Sequence, residues 1–451
     1  MKRAEPTYAK WHTWEDYSKD LEVEYRQCME EGKDVTAYEA LFNAVSAMPD
    51  GPRKAEAADV VYKIVEETPV KADYPYEEPS TLEEIFACTD GKTYNLQVPE
   101  RAVLLDRIRG AWYGRICGCL LGKPVEGMKT GELTPFLQLT DNFPMHRYIT
   151  QSDVKKPGVE RFEFPIVRRA YEDGVMDGMP PDDDTNYIVI AYKLLADYGR
   201  NFTPDDMMNT WIDCQPKNAY CTAERVAYRN FVNGYLPPES AVYKNPYREW
   251  IGAQIRGDFF GWVNPADPKT AADMAWRDAS ISHVKNGIYG EMWVAAMLAG
   301  AAAGAGIEES IRIGLSYIPE KSRLYEAIEK VMDAYHNGVT AENFFADLHT
   351  RWDDYNRHDW CHTISNAEIV AAVLLYGEGD YGKTICMAVE QGFDTDCNGA
   401  TAGSVLGMIL GEKAIPAVWK DKFGGKLHTQ MFGFETVLVD EMAEKTMDFL
   451  A

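Results

Sequence analysis

The sequence predicts an all-α protein. Apolar residues recur at helical spacing through most of its 451 residues, clean strand-type alternation is rare, and one stretch repeats glycine every fourth position. With 46% hydrophobic and 26% charged residues, the composition is that of an ordered globular protein able to bury a large core. Length alone fits either about three domains or one large helical body with an extension.

Residues 1–98 read as a small helical extension. Thr13 stands three residues before Asp16 in a capping-box-like start, and Trp14, Tyr17, Leu21, Tyr25 and Cys28 follow at helical spacing up to Gly32, which predicts a helix over 13–31. Two more helices are predicted around 36–48 and 53–67, separated by Pro49, Asp50, Gly51 and Pro52. Residues 69–80 lose the period and contain three prolines, after which Ser80 and Glu83 offer another capping box. The main boundary is expected near residue 98. The Tyr and Trp residues of the extension can pack on the body or on a second subunit, so a homo-oligomer stays open.

From 99 to 451 the strongest patterns are again helical. In RIRGAWYGRICGCLLGKPVEG, Gly110, Gly114, Gly118 and Gly122 fall at four-residue intervals and lie close to one helix face, where another helix can approach closely. A phosphate-cradling loop needs irregular spacing after a strand, and Arg115 interrupts a run too short for a membrane dimer. Cys117 and Cys119, two apart in this apolar run, read as buried side chains.

Nine scattered cysteines without a CxxC pair fit a reduced, cytoplasmic protein. The opening MKRAEPTYAKWHTWEDYSKD shows no export signal, and no stretch approaches the ~18 apolar residues of a membrane span. A net charge of −25 repels phosphate backbones and anionic membranes, so neither nucleic acid nor membrane is expected as a partner. An anionic ligand would need a local reversal of the field, which a carboxylate-held divalent cation provides.

Two acidic clusters suit such an ion. Asp182, Asp183 and Asp184 precede Thr185 and a stripe of Tyr187, Ile188, Ala191, Leu194 and Leu195, so they sit at a helix start. A helix N-terminus stabilises one carboxylate by about 0.3–1 kcal/mol, but three in a row repel each other. A cation would relieve that repulsion, and oxygen ligands select Mg²⁺, Mn²⁺ or Ca²⁺; an acidic cap on a solvated loop is the other reading. Asp394 and Asp396 stand before a stretch rich in Gly, Ala and Ser that must pack tightly. With Asn398 and Gly399 they imitate the start of an EF-hand loop, but Val405 occupies the position that requires a bidentate Glu. A shared site requires the fold to bring the two helix starts together.

Glu126 follows the glycine-striped helix in an irregular turn between Pro124 and Gly127, and composition alone makes it a surface-loop residue. His358 and His362 do not form HExxH, and capping near Thr363 accounts for them. Phe259, Phe260 and Trp262 read as core.

Three ordered motifs make the chain resemble the ADP-ribosylglycohydrolase family. The family's G-x-x-x-G-x-x-x-G-D-A-L-G-x-P-x-E is similar to Gly110–Glu126, its T-D-D-T to Asp182–Thr185, and its D-T-D-[TS]-N to Asp394–Asn398. RDASISHVKNGIYGEMWVAAMLAGA is similar to the family's Thr-His region, with Ser282 and His283 in those places. These motifs span 101–420 and leave the extension outside.

The resemblance implies a compact domain of many crossing helices with one or two Mg²⁺ or Mn²⁺ ions between the clusters. It makes Asp183, Asp184, Asp394 and Asp396 metal ligands, with Asp182 able to join them. Glu126 becomes a catalytic or substrate-orienting carboxylate, Asp394 a carboxylate beside the reacting carbon, and His283 a contact to ligand phosphate or ribose. The chain departs from the pattern at Asp182, where the family has Thr, at Cys397, where it has Thr or Ser, and at Cys119, where it has Asp. Cys397 is a poor partner for a hard ion, which weakens one site, leaves a single metal, or favours Mn²⁺ over Mg²⁺. The implied activity is hydrolysis of a ribosyl glycosidic bond in an ADP-ribosylated protein or small molecule. The alternatives are a ribosyl or furanosyl glycoside without ADP, and a silent binding protein like the family's lens crystallins.

Overall fold

The computed structural model describes residues 13–162 and 171–450. Twenty-one α-helices, joined by short 3₁₀ turns, make up these described residues, with one antiparallel two-stranded ladder pairing Lys426–His428 with Thr436–Leu438. The fold is all-α, as the sequence predicts. Residues 1–12, which hold much of the stretch read for export signals, lie outside the described residues. No helix among the described residues is long and apolar enough to cross a membrane.

Two helices form the axis of the body. Arg101–Gly122 and Thr395–Leu410 pack against each other along their lengths, and every residue from Gly110 to Gly122 is buried. Gly110, Gly114, Gly118 and Gly122 face Gly407, Gly403, Gly399 and Thr395 in turn, so the helices run antiparallel. A Cβ on any of the four glycines would strike the backbone opposite. The stripe therefore serves the close approach its spacing predicts.

Lys285–Ala303 and Thr363–Tyr376 pack around this pair and are themselves buried on all sides, which their small and apolar residues permit. Phe259, Phe260 and Trp262 lie in the same core. A separate small cluster joins Tyr17, Leu21, Cys28, Phe42, Val61 and Val65 of the first helices. Buried ion pairs tie this region to the body: Arg248 meets Glu24 at 2.9 Å and Glu31 at 2.6 Å, and Arg323 meets Glu78 at 2.9 Å and Glu249 at 2.6 Å.

Local expectations differ from the structure at three starts. The helix expected over 13–31 runs Leu21–Glu30, because Trp14 takes a left-handed φ of 66° that no helix continues, and Asp16 caps the turn Tyr17–Lys19 instead. The expected 36–48 helix is a 3₁₀ turn followed by Glu39–Ser46. The cap expected of Ser80 passes to Thr81, which bonds Glu84 at 2.5 Å, while the Ser80 hydroxyl accepts the Lys285 N–H at 3.2 Å. That donor opens a distant helix, and satisfying it outranks the local box.

Candidate functional site

The glycine ladder ends where the chemistry begins. Gly122 lies against Thr395 and Asp396, and the Thr395 hydroxyl donates to the Gly122 carbonyl at 3.0 Å. Beyond Gly122 the chain makes one 3₁₀ turn, Lys123–Val125, then reverses at Gly127 with φ 77°. Glu126 is carried inward by that turn, and its carboxylate lies with those of Asp394 and Asp396 inside a 4.8 Å span. The surface-loop reading of Glu126 is modified: its loop is half-buried, and the packed helix ends turn its carboxylate towards Asp394 and Asp396.

Arg115, buried in the same glycine-striped helix, brings in the other acidic segment. Its Nε donates to the Asp184 carbonyl at 2.7 Å and its Nη2 to Asp184 Oδ1 at 2.9 Å, while Nη1 reaches Asp258 Oδ1 at 2.9 Å. The helix Asp183–Tyr198 is thus pinned by its first turn, with Asp182 as cap accepting the Asp184 N–H at 2.9 Å. Two more groups of ligand atoms then fall within the same 4.8 Å span: Cys119 with Asp182 and Asp184, and Asp184 with Asp396 and Cys397. Asp184 and Asp396 each belong to two groups, so the three form one continuous centre. Asp183 is half-buried on the same turn.

The electrostatics are those of crowded like charges. Burial and then Asp394 push the Glu126 carboxyl up to about 7. Burial and Glu126 raise Asp396, burial raises Asp184 against the pull of Arg115, and burial with Asp182 and Asp184 raises Asp183. Asp182 alone falls below the ordinary carboxylate range, because the ion-paired Lys123 ammonium more than offsets its burial. Asp184 Oδ2 is buried without a hydrogen-bond partner among the described residues. An acceptor left bare beside several carboxylates suits a divalent cation, and the oxygen-rich donor set suits a hard one. The thiols of Cys119 and Cys397 add two softer atoms, both raised in pKa by burial.

His283 is not in these groups. It is buried, bonds Ser282 Oγ at 2.9 Å through Nδ1, and lines a groove of about 1000 Å³ with Leu82, Phe86 and Trp276. His362 accepts the Ile364 N–H at 3.1 Å as a helix cap. Sequence reasoning passed over Arg115 and Lys123 as partners of the acids. An arginine inside an apolar, glycine-rich run is the available signal, since a buried guanidinium demands an acid. It also passed over Cys361, whose Sγ donates to Asp394 Oδ2 at 3.4 Å, and Asn366, whose Oδ1 accepts the Asp394 N–H at 3.2 Å.

Residues 100–447 match the family described as ADP-ribosylglycohydrolase. Among solved structures the chain is similar to one titled "ADP-ribosylglycohydrolase-related protein complex", at 20% identity over 77% of this chain and 98% of that one, with a TM-score of 0.46. No curated protein matches the sequence. The family match takes in the glycine ladder and both aspartate-bearing helix starts, and the chain belongs to the ADP-ribosylglycohydrolase family of hydrolases.

Proposed function

We propose that this chain hydrolyses a ribosyl glycosidic bond, most directly that of an ADP-ribosylated protein or small molecule, with one or two Mg²⁺ or Mn²⁺ ions held by Asp183, Asp184, Asp394 and Asp396, and by Asp182 where it is released from Lys123. The observation that carries this reading is the continuity of the three ligand groups through Asp184 and Asp396. A divalent ion bound there supplies Lewis-acid polarisation and a positive charge against the carboxylates.

The chain's own residues do the rest. Arg115 orients Asp184, and Lys123 orients Asp182, so both carboxylates present fixed edges to the centre. Cys361 and Asn366 fix Asp394 from the other side. Glu126 enters from its turn beside Asp394 and is placed to take a proton from water as that water adds to the anomeric carbon. Asp394 supports the oxocarbenium-like charge on the ring while the C–N or C–O bond to the leaving group breaks. The leaving atom gains a proton and the sugar gains hydroxide, which balances the hydrolysis. The cysteines among the described residues are all free, which supports a reducing, cytoplasmic setting.

One observation favours a single ion. Lys123 already neutralises Asp182, so that edge of the centre needs no second cation. The test is product analysis with Mn²⁺ present: ADP-ribose released from ADP-ribosyl-arginine or O-acetyl-ADP-ribose by the wild type, and none by Asp396→Asn. Cleavage of a simple riboside without action on either ADP-ribosyl substrate would move the assignment to furanosyl glycosides. No turnover of any of these with Mn²⁺ would reject hydrolysis.

A further inference from the structure

Three residues beyond Glu126 stands a cation whose visible partner is a ring. Lys129 is half-buried with its Nζ 4.7 Å from the centroid of Trp360, and among the described residues no carboxylate lies at ion-pairing distance from it. Asp354, close by, takes its hydrogen bonds from the Thr130 N–H at 2.6 Å and hydroxyl at 3.0 Å.

Trp360 is held in place. Its ring meets Trp250 edge-on at 6.1 Å, and its carbonyl accepts from Asn366 Nδ2 at 3.2 Å. That same Asn366 receives the Asp394 N–H, and Cys361, next to Trp360, bonds the Asp394 carboxylate. Lys129 and Trp360 therefore flank the acidic centre on its Asp394 side.

The centre's other cations are committed: Arg115 to Asp184 and Asp258, Lys123 to Asp182, all buried. A chain of net charge −25 repels an anionic substrate unless positive charge at the site receives it, and Lys129 adds to the charge a bound divalent ion would bring. Burial lowers the pKa of the Lys129 ammonium against the attraction of Asp354, and an ammonium seated on an indole still presents its N–H donors, so Lys can serve as a point-charge partner for phosphate. Resting on the hydrolase reading of the acidic centre, we propose that Lys129, seated on Trp360, receives a phosphate group of the substrate and so selects phosphorylated ribosides over neutral glycosides.

The test is equilibrium binding of ADP-ribose, ribose 5-phosphate and ribose to the wild type, Lys129→Met and Lys129→Arg, with Mn²⁺ present. Lys129→Met should bind the phosphorylated ligands about tenfold or more weakly, with ribose and Mn²⁺ binding unchanged, and Lys129→Arg should restore most of the loss. A loss confined to ADP-ribose places the diphosphate at Lys129, and a loss shared by ribose 5-phosphate places a monoester there as well. The proposal is overturned if Lys129→Met binds both phosphates like the wild type, or loses ribose and Mn²⁺ to the same degree. A wild type that binds Mn²⁺ and ribose but neither phosphate also overturns it and leaves the hydrolase reading standing. A wild type that binds no divalent ion removes the hydrolase reading, and this proposal with it.

Discussion

Gly118 and Gly399 meet backbone to backbone, and a Cβ on Gly118 would collide with the Gly399 carbonyl. The contact is one rung of the ladder whose last rung is Gly122 against Thr395. Because the two helices run antiparallel at this separation, the end of one and the start of the other lie side by side. That is why Glu126 stands beside Asp394 and Asp396.

Gly118→Ala tests the ladder through the sign of its effect. Helix propensity by itself would stabilise the alanine variant by about 0.5–1 kcal/mol. Overpacking between two backbones costs about 1–3 kcal/mol or more and should win. The expected result is a lower melting temperature together with weaker Mn²⁺ binding in calorimetry. A variant as stable as the wild type would show that the approach is not tight.

Asp184→Asn and Asp396→Asn keep the shape of each side chain and remove its charge. Arg115 retains an oxygen acceptor at position 184, so circular dichroism should show the same helical fold. Mn²⁺ affinity should fall by more than the 10–100-fold typical of losing an outer-sphere partner, and turnover should vanish. Unchanged affinity in both variants would remove these residues from the ligand set.

Lys123→Met breaks a buried ion pair and leaves Asp182 uncompensated, at a cost of about 3–5 kcal/mol without metal. A divalent ion can take over the compensation, and a ligand at 100 times its Kd stabilises by about 2.7 kcal/mol. Thermal melts should therefore show Mn²⁺ raising the variant's stability more than the wild type's. Equal gains would mean that Lys123 and the ion do not share Asp182.

Acid should loosen the attachment of the first helices at Glu31. Burial raises this carboxyl, but Arg248 and Lys285 bring it down to about 2, against an ordinary value of about 4.3. A folded-state value below the unfolded one contributes stability that is present above about pH 4.3 and lost as pH falls towards 2. The amount is about 3 kcal/mol at most. In urea unfolding, the gap between wild type and Glu31→Gln should be widest near neutral pH, shrink below about pH 4.3 and close only towards pH 2. A gap that stays constant across that window would assign the effect to packing.

The parts that could be read from the chain were those governed by neighbours within a turn or two. Helical spacing, the four-residue glycine period and acids at helix starts are all local: Asp182 caps the helix that follows it, and Asp394 stands at the position just before its own helix without a side-chain capping bond. Ser80 was misread as a cap because its hydroxyl answers to Lys285, far along the chain. The turn at Glu126 shows in the local pattern, but not that this half-buried carboxylate meets the acids of a helix that begins at Thr395. Cys119 was rightly read as buried, yet burial says nothing of which acids lie within 4.8 Å of its sulfur.

From its residues alone the chain establishes a helical class, a face able to admit a neighbouring backbone, and acidic turns able to share a cation. Periodicity and capping are energies of adjacent residues, so they are written into the linear order. Which helix fills the glycine face, and therefore which acids meet, was settled only by three-dimensional packing. A missing side chain marks where a partner can approach and carries no information about which partner it is.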